Sequence, residues 1–187
     1  MNDSALGFRR EFTLGFRDAD PAEAQVEYVT DMVPVETDAI RRIFTQVLAL
    51  LDCDATRSDP AMGRLLPDGY REDREAADEL RRFTQATLLD GKRQACREVL
   101  ADLPDGPGRI SLSPERTSAW LTGLTDVRLV LGSRLGITSD TDMAALLDVN
   151  SASDDADKPT MFLLAMYQHL TFLQESLLQA INDAPDR

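Results

Sequence analysis

Two cysteines, one histidine and a few acid runs are the side chains in this 187-residue sequence best suited to chemistry, and their spacing decides what it can be. Cys96 lies on an apolar stripe with Val99, Leu100 and Leu103, where a thiol most often serves as a small buried hydrophobe. Lys92, Arg93 and Arg97 would lower its pKa and make it reactive wherever the sulfur met solvent. Cys53 falls just past the end of a helical pattern, in a partly exposed position. A redox pair of Cys53 and Cys96 needs Cα atoms within about 7 Å, a condition the sequence leaves open.

His169, the sole histidine, is flanked by Met166 and Leu170 and reads as a packing or rim residue. One histidine and two distant cysteines give no thiolate–imidazole ligand set. A carboxylate di-metal site would place Glu three residues before the histidine, and Met166 stands there instead. The acids Asp18, Asp20, Asp154 and Asp155 lack the spacing and the glycine of a calcium loop. No phosphate-cradling glycine pattern and no serine in a nucleophile elbow is present. The expectation is a non-enzyme without cofactor or metal.

Trp120 is spaced with Leu124 and Val127 and reads as core, with an interface anchor as the alternative. Asp126 and Arg128 are two apart, so they point to different helix faces and cannot pair with each other. Arg128 is expected to reach a carboxylate on a neighbouring element, and Arg64 to do the same near the turn at Pro67.

Thirty-three acids against twenty bases give a formal charge of −13. That field repels phosphate backbones and anionic lipid, favours a basic partner, and keeps a protein in solution. Direct DNA contact would need a local patch, with Arg93 and Arg97 sharing an exposed face with Arg81 or Arg82. Eighteen of the twenty bases are Arg, a bias that points to a GC-rich bacterial genome. No run approaches the ~20 apolar residues of a membrane span. Residues 1–6 lack the basic and apolar regions of a signal peptide, so a cytoplasmic protein with reduced thiols is expected.

The elements that must position these residues follow from periodicity. Phe8, Phe12, Leu14 and Phe16 alternate, then Val26, Tyr28 and Thr30 after a polar turn, which predicts a β-hairpin appendage over 1–33. A helical core over 34–187 follows. Its first helix runs from Pro34 to Asp52, and Asp59-Pro60 caps and opens a short one to Leu66. A long region from Glu72 to Leu103 carries Leu80, Phe83, Thr87, Leu88, Ala95, Val99 and Leu103 on one face, with Gly91 leaving one helix or two open. Ser113-Pro114-Glu115 starts another helix that ends at Gly136, and a short one is expected near residues 143–147. An acidic mobile loop over 148–158 precedes a final helix to about Ile181. The prediction is one mainly α, bundle-like domain.

The run Asp59-Pro60-Ala61-Met62-Gly63-Arg64-Leu65-Leu66-Pro67-Asp68-Gly69-Tyr70 resembles the "DP…RLLP…Y" signature of an actinobacterial family, domain-of-unknown-function family number two thousand and seventeen. Asp90-Gly91-Lys92-Arg93, Ala119-Trp120-Leu121 and the stretch from Asp126 through Arg128 to Gly132 look like its later blocks, in order, over about four-fifths of the chain. Thr125 departs from the Asn usual before Asp-x-Arg, and neither cysteine matches a family redox position. The resemblance implies a helical core with a small N-terminal β element. It also implies an AosR-like role in oxidative-stress transcription regulation, with Asp59, Pro60, Arg64, Pro67, Tyr70, Lys92, Trp120, Asp126, Arg128 and Gly132 structural or partner-binding. The leading expectation is therefore a regulator acting by protein–protein contact, its partner in the transcription machinery. A DNA-binding helical regulator, a small-molecule binder or enzyme with an unrecognised site, and a homodimer stay open as alternatives.

Overall fold

The structure is a computed structural model, and it describes residues 7–13, 25–53, 58–67, 74–139, 141–143, 145, 146 and 158–183. The turn at 17–21, Leu14, Phe16, Tyr70 and the acidic stretch 148–157 lie outside the described residues.

Strands β1 (Arg9–Thr13) and β2 (Gln25–Met32) pair antiparallel, as their alternation predicts. A third strand, β3 (Gly108–Leu112), pairs antiparallel with β2 and completes a sheet of order β1-β2-β3. The sequence reading did not include this strand. Its alternation, Ile110 and Leu112 inward and Arg109 and Ser111 outward, covers one short stretch between a Gly-Pro-Gly turn and a helix start. Such a strand is specified by the partner edge waiting for it more than by its own residues.

Helix α1 (Pro34–Asp52) begins with a proline at a position where a backbone N–H would have no partner. The Glu36 carboxylate accepts from the Val33 N–H at 3.1 Å, and Ile40, Ile43, Phe44, Val47 and Leu51 form the buried stripe. Helix α2 (Pro60–Leu65) is capped by Asp59, whose Oδ1 accepts from the Ala61 N–H at 2.9 Å. Helix α3 (Arg74–Asp102) is one continuous helix of 29 residues, about 43 Å long, and runs straight through Gly91. Helix α4 (Pro114–Arg134) closes with Gly136 at φ 69°, where the Ile137 N–H returns to the Gly132 carbonyl at 2.8 Å, as the glycine signal predicts. Residues 141–143, 145 and 146 are helical, and α5 (Lys158–Asn182) is the last helix, with Lys158 inside it rather than in the preceding loop.

The core forms where α4 lies between α3, α5 and α2, with the sheet across α4 and α5. Trp120, Phe44, Leu124, Val127, Leu170, Leu173 and Leu177 are fully buried there, each worth roughly 1.5–3 kcal/mol of removed apolar surface. Trp120 is core, as its spacing predicts, and Phe8 packs edge-on against it with ring centres 5.3 Å apart. The Phe8 N–H donates to Ser176 Oγ at 2.9 Å, which ties the start of the sheet to α5. Gly123 lets α4 approach closely, since a Cβ there would sit 3.0 Å from Phe44 Cε1 and 3.2 Å from Val99 Cγ2.

One expectation about a buried face needs correction. Leu80, Phe83 and Leu88 are exposed, Phe83 by 76%, because the first half of α3 extends beyond the end of α1, so nothing from α1 covers it. On α5, Leu164, Met166, Leu170, Leu173, Leu177 and Ala180 are buried, and Leu163 and Ile181 pack half-buried against the same core.

Candidate functional site

The family-motif residues gather in two places along α4. The first is the α3–α4 seam. Lys92 Nζ meets Asp126 Oδ1 at 2.6 Å, the carboxylate 2% and the lysine side chain 17% exposed. Burial raises the Asp126 carboxyl above its usual range even though Lys92 pulls the other way, and its Oδ2 has no hydrogen-bond partner. A buried pair of this kind contributes little net stability, yet removing one partner leaves a buried charge uncompensated. Two turns away along α4, Asp102 accepts from Trp120 Nε1 at 2.8 Å and from Arg116 at 2.6 and 3.1 Å. This carboxylate satisfies the one polar atom of the buried indole.

Cys96 lies on the same seam, fully buried, its thiol pushed up to about 12 chiefly by burial, with Asp126 adding to the effect. At neutral pH almost none of it is thiolate, the species that reacts. Cys53 is exposed at the end of α1, and the two are not disulfide-bonded. Outward from the pair, α3 and α4 leave a groove of about 480 Å³ lined by Leu88, Gly91, Lys92, Glu98, Glu115 and Thr122 among others. Exposed Phe83 stands on the same face of α3, two turns before Gly91.

The second place is the α2–α4–α5 junction. Asp59 receives both ends of the Arg134 guanidinium at 3.0 and 2.6 Å while capping α2, and the pairing holds its carboxyl below the usual range. Pro60 opens α2, and Pro67 is exposed beyond it. Arg64 lies over Gly132, where a Cβ would sit 3.6 Å from Arg64 Nη1 and 3.5 Å from Tyr167 Cε2. Among the described residues Arg128 reaches no carboxylate, contrary to expectation. Its Nη1 donates to Gln174 Oε1 at 2.5 Å and its guanidinium stacks 5.3 Å from the Tyr167 ring centre. Gln174 in turn donates to Thr125 Oγ1 at 2.8 Å. Tyr167 and Gln174 complete this junction. The only sequence signal of Tyr167 was its place on the apolar face of the last helix, and Gln174 had none.

Other arginines are committed within the fold. Arg93 donates to the Leu51 carbonyl at 2.6 Å and pairs with Asp52 and Asp90, while Arg41 donates to the Leu103 and Pro104 carbonyls at 3.1 and 2.9 Å. Each of the antiparallel helices α1 and α3 thus closes the other's carbonyl end. Arg97 lies 3.8 Å from the Asp52 carboxylate, so Arg93 and Arg97 form no uncompensated basic patch. His169 is half-buried, and burial lowers its pKa. Among the described residues no cluster of three or more His, Cys, Asp or Glu could hold a metal ion, and no helix is long and apolar enough to cross a membrane.

The family model described as Domain of unknown function (DUF2017) matches residues 10–181, which takes in both groups of motif residues. The chain belongs to this family. Family relatives carry a more telling description: proteins from Mycobacterium bovis and Mycobacterium tuberculosis named "Oxidative stress regulator AosR" are each 29% identical over 136 residues. These alignments cover 64% of this DUF2017 chain and 57% of each relative. A Mycobacterium leprae relative is 30% identical over 139 residues, 66% of this chain and 58% of its own. The chain thus spans less than two thirds of the length of these curated relatives. No solved structure matches it.

Proposed function

We propose that this DUF2017 protein is a non-enzymatic regulator that works by docking onto a protein of the transcription machinery. The observation that carries the reading is the similarity to relatives named oxidative stress regulators. Two physical features support contact with a protein rather than with DNA. The chain carries a formal charge of −13, and its partly buried arginines at 41, 93 and 116 are neutralised by its own carboxylates, so phosphate has little to replace. The first half of α3 presents Leu80, Phe83 and Leu88 to solvent beside an open groove with Glu98 and Glu115 on its walls. An apolar ridge next to acidic walls suits a basic, amphipathic partner segment.

The test is affinity purification of the tagged protein from peroxide-treated cells. RNA polymerase or a sigma factor should copurify in stoichiometric amount, and Phe83→Ser should reduce that recovery roughly tenfold while the melting temperature holds, as for loss of an aromatic anchor. Recovery of no transcription component would refute the reading.

A further inference from the structure

The α2–α4–α5 junction holds two guanidiniums that the docking reading does not use. Arg9, Arg41, Arg93 and Arg116 are partly buried, and each sits on at least one carboxylate. Arg64 and Arg128 are also partly buried, and among the described residues neither has one. Arg128 and Gly132 are four residues apart on one face of α4, and Arg64 Nη1 lies against Gly132, so the two side chains meet the same face of α4. Tyr167 touches both places, its ring under Arg128 and its Cε2 edge toward Gly132 beside Arg64. Among the described residues the buried Nε of Arg128 has no acceptor.

Two like charges in one half-buried junction repel, and a buried guanidinium N–H without acceptor is costly. Gln174 offers Arg128 a dipole but no charge. Among the described residues no carboxylate meets either arginine, which leaves the junction a place for an anion from outside. We propose that Arg64 and Arg128, framed on Tyr167, form a binding site for an oxyanion group, the carboxylate or phosphate of a ligand. Guanidinium N–H groups match either group with charge-assisted hydrogen bonds, here from Arg64 and from the Arg128 N–H groups that Gln174 leaves free. Glycine at 132 keeps the floor of the site free of a side chain, and Thr125–Gln174 holds Arg128 in orientation. This site is independent of the α3 groove and of any partner there.

The experiment follows the arginine side-chain NMR signals of the full chain during titration with inorganic phosphate and, separately, with succinate, each against sodium chloride at matched ionic strength. One or both probes should produce saturable shifts at Arg64 and Arg128, and the arm that saturates at lower concentration identifies the ligand chemistry. Arg64→Gln should weaken that binding roughly tenfold or more, the worth of one charge-assisted hydrogen bond, and Arg64→Lys should restore part of it. Lys158→Gln should change nothing. Wild-type shifts that never saturate, or that sodium chloride reproduces, overturn the proposal whatever the variants do. So does full-strength binding in a folded Arg64→Gln protein.

Discussion

Replacing Lys92 by Met tests whether the α3–α4 seam is held as described. The substitution keeps the length of the side chain and removes the charge opposite Asp126, whose carboxylate is 2% exposed. Stranding one member of a buried pair costs about 3–5 kcal/mol, and the residual 17% exposure of Lys92 puts the expected loss near the lower end, about 3 kcal/mol at pH 7. For a chain of this size that is a fall of roughly 6–12 °C in melting temperature. The loss must depend on pH in one direction. Burial already raises the Asp126 pKa in the folded protein above its unfolded value, so the native state holds the proton more tightly. Stability contributed by such a group is complete below the unfolded pKa of about 3.9 and is lost as pH rises through the folded value. Without Lys92 the folded pKa climbs further, so the gap between variant and wild type should shrink steadily from pH 7 toward pH 4.5. Urea unfolding at several pH values measures it. Lys92→Met combined with Asp126→Leu should recover most of the loss at pH 7. A gap that stays constant across that range, or no gap at pH 7, would refute the assigned burial of this pair.

Thiol titration with an aromatic disulfide reagent should count one fast thiol per native chain, from Cys53, and two in urea, because the Cys96 thiol is pushed up to about 12 and has no solvent access. Two equally fast native thiols would contradict the burial of Cys96. Gly123→Ala should cost about 1–3 kcal/mol in urea unfolding, since the added methyl meets Phe44 and Val99 within 3.2 Å in a packed core. An unchanged midpoint would mean α4 does not approach α1 and α3 that closely.

The helices were legible because their ends carry local chemistry. Asp59-Pro60, Ser113-Pro114 and Gly136 act within a turn of their own positions, and the structure puts helix boundaries beside all three. What sequence reasoning missed depends on partners far along the chain. β3 exists because the β2 edge is there to receive it, and Asp126 finds Lys92 across a helix seam, 34 positions away. Arg128 was expected to seek a carboxylate, and the nearest acceptor on α5 is an amide. Periodicity also assigned Phe83 and Leu88 to a buried face, because a stripe shows that residues share a side without showing that anything covers it.

The third strand has a consequence for when the protein can fold. Tyr28 pairs with Leu112 and Thr30 with Ile110. A two-stranded ribbon is marginal in water, so the first strands to leave the ribosome have no stable resting place until their partner is made. With roughly 80 residues between them, at about 5–20 residues per second, that delay is about 4–16 s. Through that interval the apolar side of β2, with Tyr28, Thr30 and Met32, lacks both β3 and the α4 surface it will rest on. The nascent chain is most vulnerable to misassociation during synthesis of α3, and slow codons or low temperature within that stretch should lower the yield of folded protein more than the same delays placed after residue 134.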